Sequence, residues 1–305
     1  MEKIYTITFS PAIDYFVCCN TFEVGKFNRA DSVETLAPGG KGINVSVMLK
    51  NLGVSSTALG FTAGFTGEAI EKMTKALGVD TDFIRVNGMS RINVKVRSGS
   101  RETELNGQGP MVDFPDMEKL LEKLDALEDD DWLILAGSVP KSMPAGIYAT
   151  ILNRVKSKEI KIIADTADDW LKSVLPYKPY LIKPNVDELS RFFATKTDSK
   201  ATISRLAKRL QEMGARNVIV SMGEKGAYLL DEENEEYWIS APKGKMVNTI
   251  GSGDSLVAGF VAGCLQYGNL YRHALRLGVA AGSASAFTQG LASKAEVEAL
   301  LREMD

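Results

Sequence analysis

Trp132-Leu133-Ile134-Leu135-Ala136, then a helical spacing of Ile147, Ile151 and Val155, then Ile160-Lys161-Ile162-Ile163-Ala164, together decide the fold class. Two short runs that are almost wholly apolar have no face to give to water, so they read as strands covered on both sides. A helix between two such strands is the crossover of a parallel pair. The same unit recurs along the chain. Further apolar strands are expected at Ile4–Phe9, Tyr180–Ile182 and Val218–Val220. Further helices are marked by Met117, Leu120, Leu121 and Leu124, and by Ile203, Leu206, Leu210 and Met213, spaced three and four apart. The expected core is an α/β domain with a mainly parallel sheet and helices on both faces.

A second kind of strand alternates instead. Arg91-Ile92-Asn93-Val94-Lys95-Val96-Arg97 puts Ile92, Val94 and Val96 on one face and polar residues on the other; Ser98-Gly99-Ser100 turns, and Glu102–Asn106 returns. Ala12–Cys19 followed by Ala30–Leu36 reads as a second pair. Four strands without helices suggest a small sheet formed by two insertions, residues 11–36 and 88–109, with residues 1–10, 37–87 and 110–305 forming the α/β domain. Such a sheet needs cover for its apolar face, which a lid, a dimer contact or both would supply. The row Ile92, Val94 and Val96 is expected to bury against the same sheet of a second subunit.

Composition narrows the function. The chain has 305 residues, 45% hydrophobic and 25% charged, with 36 basic and 39 acidic residues. That balance gives no basic surface for nucleic acid or an anionic membrane, and no apolar run reaches the ~18 residues of a membrane span. Cys18, Cys19 and Cys264 make neither a CxxC motif nor a disulfide framework, which favours a reducing cytosol. The single histidine, His273, sits in a helical pattern, so no His-rich metal site is available. The acidic run Glu128–Asp131 reads as a solvated turn.

Ligands of open α/β sheets bind at the carboxyl ends of the strands. Ala136-Gly137-Ser138, Asp165-Thr166, Lys183-Pro184-Asn185 and Ser221-Met222-Gly223 all fall there, although each could equally be a turn or helix cap. Two glycine-rich turns open helices. Asn248-Thr249-Ile250-Gly251-Ser252-Gly253-Asp254 would bring backbone N–H groups and a helix start to an anion, with Asp254 placed to cap the helix or to take a proton from a hydroxyl. Pro38-Gly39-Gly40-Lys41-Gly42 adds a cation to a similar turn. GxxxxGK[ST] is absent, and Gly251-Ser252-Gly253-Asp254-Ser255-Leu256 fails the dinucleotide fingerprint, which disfavours P-loop enzymes and ordinary dehydrogenases.

These two turns, in this order, resemble the double signature of the ribokinase-like (PfkB) sugar kinases. The similarity runs from Thr8-Phe9-Ser10-Pro11-Ala12-Ile13-Asp14 to Val279-Ala280-Ala281-Gly282-Ser283-Ala284. Arg91–Lys95 and Glu102–Pro110 look most like the 1-phosphofructokinase branch, with tagatose-6-phosphate kinases as the nearest alternative. The resemblance implies a ribokinase-like three-layer α/β/α domain with a small β-sheet lid, and a cytosolic, Mg²⁺-dependent transfer from ATP to the 6-hydroxyl of fructose 1-phosphate. It implies Asp254 as base, with Gly251, Ser252 and Gly253 forming the anion hole. Asp14, Gly39, Gly40 and Asn44 would hold sugar hydroxyls, and Ser138 would also meet the substrate. Lys41 and Arg91 would hold the substrate's phosphate. Lys183, Ser221, Gly223, Gly226 and Thr249 would line the nucleotide side, with the Ala280–Ser283 helix near the adenine. Asn185 and Glu188, matching NxxE, would organise Mg²⁺ through water. The segment Lys26-Phe27-Asn28-Arg29 matches its basic counterpart only loosely, which leaves the roles of Lys26 and Arg29 open. A homodimer through the lid is expected from the apolar row of its alternating strand. A phosphosugar-binding regulator that lost catalysis is the rival from another class, and retention of Asp254, Asn185 and Glu188 argues against it.

Overall fold

The computed structural model describes residues 2–32, 34–99, 101–137, 139–140, 143, 146–268 and 270–304. The apolar runs assemble into a ten-stranded sheet. Its order in space is Glu236–Ile239, Ala227–Leu230, Asn217–Ser221, Leu181–Ile182, Lys161–Asp165, Trp132–Ala136, Ile4–Thr8, Thr57–Ala63 and Asp80–Thr81, with Ile84–Val86 also on Thr57–Ala63. All pairings are parallel except the two that attach Ala227–Leu230 and Glu236–Ile239.

The strand Trp132–Ala136 shows why the sheet is buried on both faces. Leu133 and Leu135 join a cluster with the helices Phe114–Leu124, Ile147–Val155 and Lys200–Glu212. Trp132, Ile134 and Ala136 join the opposite layer with Lys41–Asn51, Ser252–Tyr267 and Tyr271–Phe287. Alternate side chains therefore serve alternate layers, which gives the expected three-layer α/β/α core. The last two helices pack very closely. A Cβ on Gly263 would come within 2.5 Å of the Ala274 Cα, so only glycine permits that approach.

A separate four-stranded sheet has the order Thr35–Gly39, Ala12–Cys19, Arg91–Ser98, Arg101–Asn106. Its central pair is parallel, with Ala12 opposite Arg91, Asp14 opposite Asn93 and Phe16 opposite Lys95. This register points Asp14, Asn93 and Lys95 to one face and Ile13, Ile92, Tyr15 and Val94 to the other.

Several expectations change. The strand returning to Ala12–Cys19 is Thr35–Gly39, not Ala30–Leu36, so residues 37–39 lie in the small sheet. Pro38 and Gly39 are poor strand formers, and register alone recruits them. Met213 does not continue the apolar stripe of its helix; it caps the helix and is exposed. Asp131, expected in a solvated turn, is buried, and its carboxylate accepts from the N–H groups of Lys3 and Glu128. Ile92 is covered within the chain, packing against the cluster of Ile13, Ile43, Val47, Ala58, Ile70 and Val79. Val94 and Val96 are half-buried, and Leu36 and Leu105 on the same face are exposed. Among the described residues, no helix is long and apolar enough to cross a membrane.

Candidate active site

Between the polar face of the small sheet and the carboxyl ends of the central strands lies a cleft of about 1440 Å³. Both glycine-rich turns open into it. Of the residues singled out from the sequence, Asp14, Gly40, Lys41, Asn44, Arg91, Lys183, Asn185, Glu188, Ser221, Gly223, Gly226, Thr249 and Gly251 to Asp254 all line it. Gly39 lies directly beneath Asp14. Ser138 lies outside the described residues. Lys26 and Arg29 are on an exposed stretch and are not part of the cleft wall.

The first turn is shaped by close packing. The Thr8 hydroxyl accepts from the N–H of Ile43 at 3.1 Å, fastening the start of the Lys41–Asn51 helix to the end of the first strand. Gly40 has φ +127°, and a Cβ there would meet the Thr8 methyl at 2.4 Å. A Cβ on Gly39 would strike the Asp14 carboxylate at 2.6 Å. One turn into the helix, Asn44 donates through Nδ2 to Asp254 Oδ2 at 2.8 Å. The two glycine motifs, distant in sequence, meet through this bond.

The second turn begins the Ser252–Tyr267 helix, with Gly251 as N-cap at φ +78°. The Asn248 side-chain oxygen accepts from the Ile250 N–H at 3.0 Å and fixes the approach. The first N–H groups of the helix have no partner within it, which favours an anion at this end. The Ser252 hydroxyl is buried without a partner. Asp254, 5% exposed, has its carboxyl pushed up to about 6, first by burial and then by the negative charge of Asp165, against the opposing pull of Asn44, Lys41 and Lys183. A carboxylate raised to that value is a better base than an ordinary one and is still ionised at pH 7.

Asp165 is a site residue that the sequence reading placed at a strand end without giving it a role. Its buried carboxylate takes Lys183 Nζ at 3.2 Å and Lys41 Nζ at 3.4 Å. Burial alone would raise its pKa, but the two ammonium groups hold it below the usual carboxylate range. Lys41 is pushed up by Asp165, against burial, and also feels Asp254 and Glu188. Lys41 sits near Asp254, while Arg91 and Lys95 of the small sheet line the cleft from the other side. Arg91 donates through Nε to the Ser10 carbonyl at 3.1 Å.

On the far side of Asp254 the cleft is walled by helix caps. Asn185 and Glu188 form a reciprocal capping box of the Val186–Phe192 helix, each carboxyl or amide oxygen accepting the other's N–H at 2.8 Å. Gly226, at φ +94°, lets the loop pass the Ile239 carbonyl, and Gly282 and Ser283 of the Tyr271–Phe287 helix face the same space. Among the described residues, no three acidic, histidine or cysteine side chains gather closely enough to hold a metal ion alone. A divalent cation here would take most of its oxygen ligands from phosphates and water, with the Glu188 carboxylate on the wall as one neighbour.

A family model described as pfkB family carbohydrate kinase matches residues 13–298. The chain belongs to the pfkB family of carbohydrate kinases. It is 44% identical to the 1-phosphofructokinase of Bacillus subtilis strain 168 over 99% of this chain and 98% of that one. It is 38% identical to a D-tagatose-1-phosphate kinase of Bacillus licheniformis, covering 97% and 96% respectively. Among solved structures, a putative phosphofructokinase from Staphylococcus aureus superposes with a TM-score of 0.86 at 41% identity, covering 98% of this chain and 96% of that one. The ribokinase-like architecture expected from the two glycine signatures holds for this pfkB kinase.

Proposed function

We propose that this pfkB kinase transfers the γ-phosphoryl group of ATP to the 6-hydroxyl of fructose 1-phosphate. The full-length similarity to the Bacillus subtilis enzyme carries the choice of sugar. The geometry carries the choice of chemistry. Phosphoryl transfer requires positioning, positive charge and water exclusion more than covalent participation. The cleft supplies each.

Asp254 takes the proton from the attacking hydroxyl, and Asn44 fixes its carboxylate at 2.8 Å. The N–H groups at Gly251, Ser252 and Gly253 receive the transferred group's oxygens. Lys41 and Lys183, held on Asp165, bring two positive charges to the same end. Asp14, Gly39, Gly40 and Asn44 hold sugar hydroxyls, Arg91 holds the substrate's phosphate, and Ser138 serves the substrate side. Lys183, Asn185, Ser221, Gly223, Gly226 and Thr249 border the nucleotide. Mg²⁺, approached by Asn185 and Glu188 through water, supplies charge neutralisation on the phosphates. The small sheet is a lid (residues 11–36 and 88–109, extended to 39) on a cytosolic enzyme. Its outward face, with Val94, Leu36 and Leu105, joins two subunits into a homodimer.

The second reading is favoured by the Bacillus licheniformis relative, and it moves the expected tagatose phosphate from carbon 6 to carbon 1. A coupled ADP-release assay over fructose 1-phosphate, tagatose 1-phosphate, fructose 6-phosphate and tagatose 6-phosphate tests the proposal. The highest kcat/KM is expected with fructose 1-phosphate. Preference for a 6-phosphate would overturn it, and no turnover with any sugar would favour the non-catalytic regulator. Sedimentation at micromolar concentration tests the dimer, which a clean monomer would remove.

A further inference from the structure

The lid's inner face holds an arrangement that the roles above leave unused. Lys95, 7% exposed, places its ammonium 3.2 Å from Asp14 Oδ2 and 5.2 Å from the centre of the Phe16 ring. Asn93, also 7% exposed, donates through Nδ2 to Asp14 Oδ1 at 2.8 Å. Asp14 is thus held at both oxygens by the neighbouring strand, and its carboxylate occupies the space that a side chain on Gly39 would need. A long side chain such as lysine is rarely buried without a purpose, since its charge must be compensated. Here compensation and orientation come from the same contact.

A second observation points to a ligand. The other end of the Asn93 amide, Oδ1, is buried and has no hydrogen-bond partner, although Asn93 lines the cleft. Buried carbonyl oxygens are nearly always paired in a folded protein, so a sugar hydroxyl that meets this oxygen restores a missing bond. Asp14 and Asn93, opposite each other on adjacent strands, would then offer acceptors to neighbouring hydroxyls. A sugar lacking one of those hydroxyls leaves an acceptor unpaired, which is the strongest form of discrimination available to a polar site.

We propose that Lys95 and Asn93 are positioning residues that fix the Asp14 carboxylate and, through it and the Asn93 carbonyl, set which ring hydroxyls the enzyme requires. The proposal rests on the sugar-kinase reading. The ammonium restrains Asp14 from one side and the amide from the other, so that neither oxygen can turn away when the lid moves. Lys95 acts through Asp14 and does not itself carry the substrate's phosphate, which falls to Arg91.

The experiment uses the full chain with the best sugar phosphate of the panel above, together with its 3-deoxy and 4-deoxy analogues. Absence of turnover by wild type would defeat the functional reading; the variants test the present one. Lys95→Met, which keeps the stem, should raise the sugar KM about tenfold while leaving the KM for ATP within twofold. Lys95→Arg should recover part of the loss. Because the two residues act as one unit, Asp14→Asn with Lys95→Met should be no worse than Asp14→Asn alone. Asn93→Ala should reduce the wild-type penalty for one deoxy analogue to within about threefold, because the acceptor that enforced it is gone. Additive effects of Asp14 and Lys95, or deoxy penalties unchanged in Asn93→Ala, would overturn the proposal. Binding of ATP measured by calorimetry in each variant separates this from misfolding, since a collapsed protein loses the nucleotide too.

Discussion

The two glycine-rich turns of this kinase look alike in sequence and differ in what their glycines are for. In the first, a Cβ on Gly39, Gly40 or Gly42 would collide with Asp14, Thr8 or the Ile7 carbonyl, each at 2.8 Å or less. The space is already filled by the chain itself, and the glycines bring the Lys41–Asn51 helix and the lid strand together. In the second, Gly251 is crowded too, at φ +78° with a Cβ that would come 2.6 Å from Leu291 Cδ2, but a Cβ on Gly253 would stand 3.4 Å from Lys183 Nζ, an ordinary contact. Room is left there, facing Lys183. The first turn is packed at every glycine, and the second keeps open space beside Gly253.

The largest test of this contrast is Asp254→Asn. The amide keeps the shape but cannot accept a proton, so kcat should fall roughly 10²- to 10⁴-fold with ATP binding little changed. The same variant should be more stable. A carboxyl whose pKa rises on folding costs stability in full above its folded pKa, so removing it should return roughly 1–3 kcal/mol at pH 7, a gain that shrinks as pH falls from about 6 and is gone below about 4. Retention of more than half the wild-type kcat would remove Asp254 from the role of base.

Arg91→Ala comes next, acting at the lid end alone. Loss of one charge-assisted bond to a phosphate should raise the sugar KM by about 1.5–3 kcal/mol equivalent, with ATP little affected. A defect in the KM for ATP instead would place Arg91 on the wrong side of the cleft.

A smaller pair of changes addresses the turns directly. Gly39→Ala must displace the Asp14 carboxylate, and overpacking of this kind costs about 1–3 kcal/mol. The sugar KM should rise by roughly tenfold. Gly253→Ala meets no clash and needs no unusual φ, so melting temperature should stay within about 2 °C while kcat drops severalfold as the methyl enters the phosphoryl site. If both variants behaved alike, the distinction between a packed turn and a receiving turn would fail.

Much of this was written locally in the sequence, and the remainder depends on convergence. WLILA announced a doubly covered strand because every position is apolar, and Asn93, Lys95 and Arg97 announced a polar lid face by alternation alone. Thr35–Gly39 gave no such sign, since it contains Pro38 and Gly39 and owes its place to the register opposite Ala12. Asp165 reads as a turn residue until Lys41, 124 positions away, is seen to reach it. Asn185 and Glu188 carry two meanings in one spacing, because a capping box and an NxxE motif are the same letters. Lys41 was legible as a cation beside a glycine turn, but its ion pair with Asp165 was not.

The smallest effect is a shift in pH dependence, and its sign follows from the groups around Asp254. The base must be ionised, so activity is present above its pKa and lost as pH falls through it. With the carboxyl pushed up to about 6, kcat/KM should be half-maximal near pH 6 and fall about tenfold per unit below, whereas an ordinary carboxylate would hold activity to near pH 4. Burial is the main cause and Asp165 the second, opposed by Asn44, Lys41 and Lys183. Asp165→Asn should therefore move the midpoint down, since it removes a negative charge and releases two ammonium groups towards Asp254. Lys41→Met should move it up, because a positive charge is lost while Asp165 stays. Opposite shifts from two partners 3.4 Å apart would show that one charge network tunes the base. A profile flat to pH 5 would show that it does not.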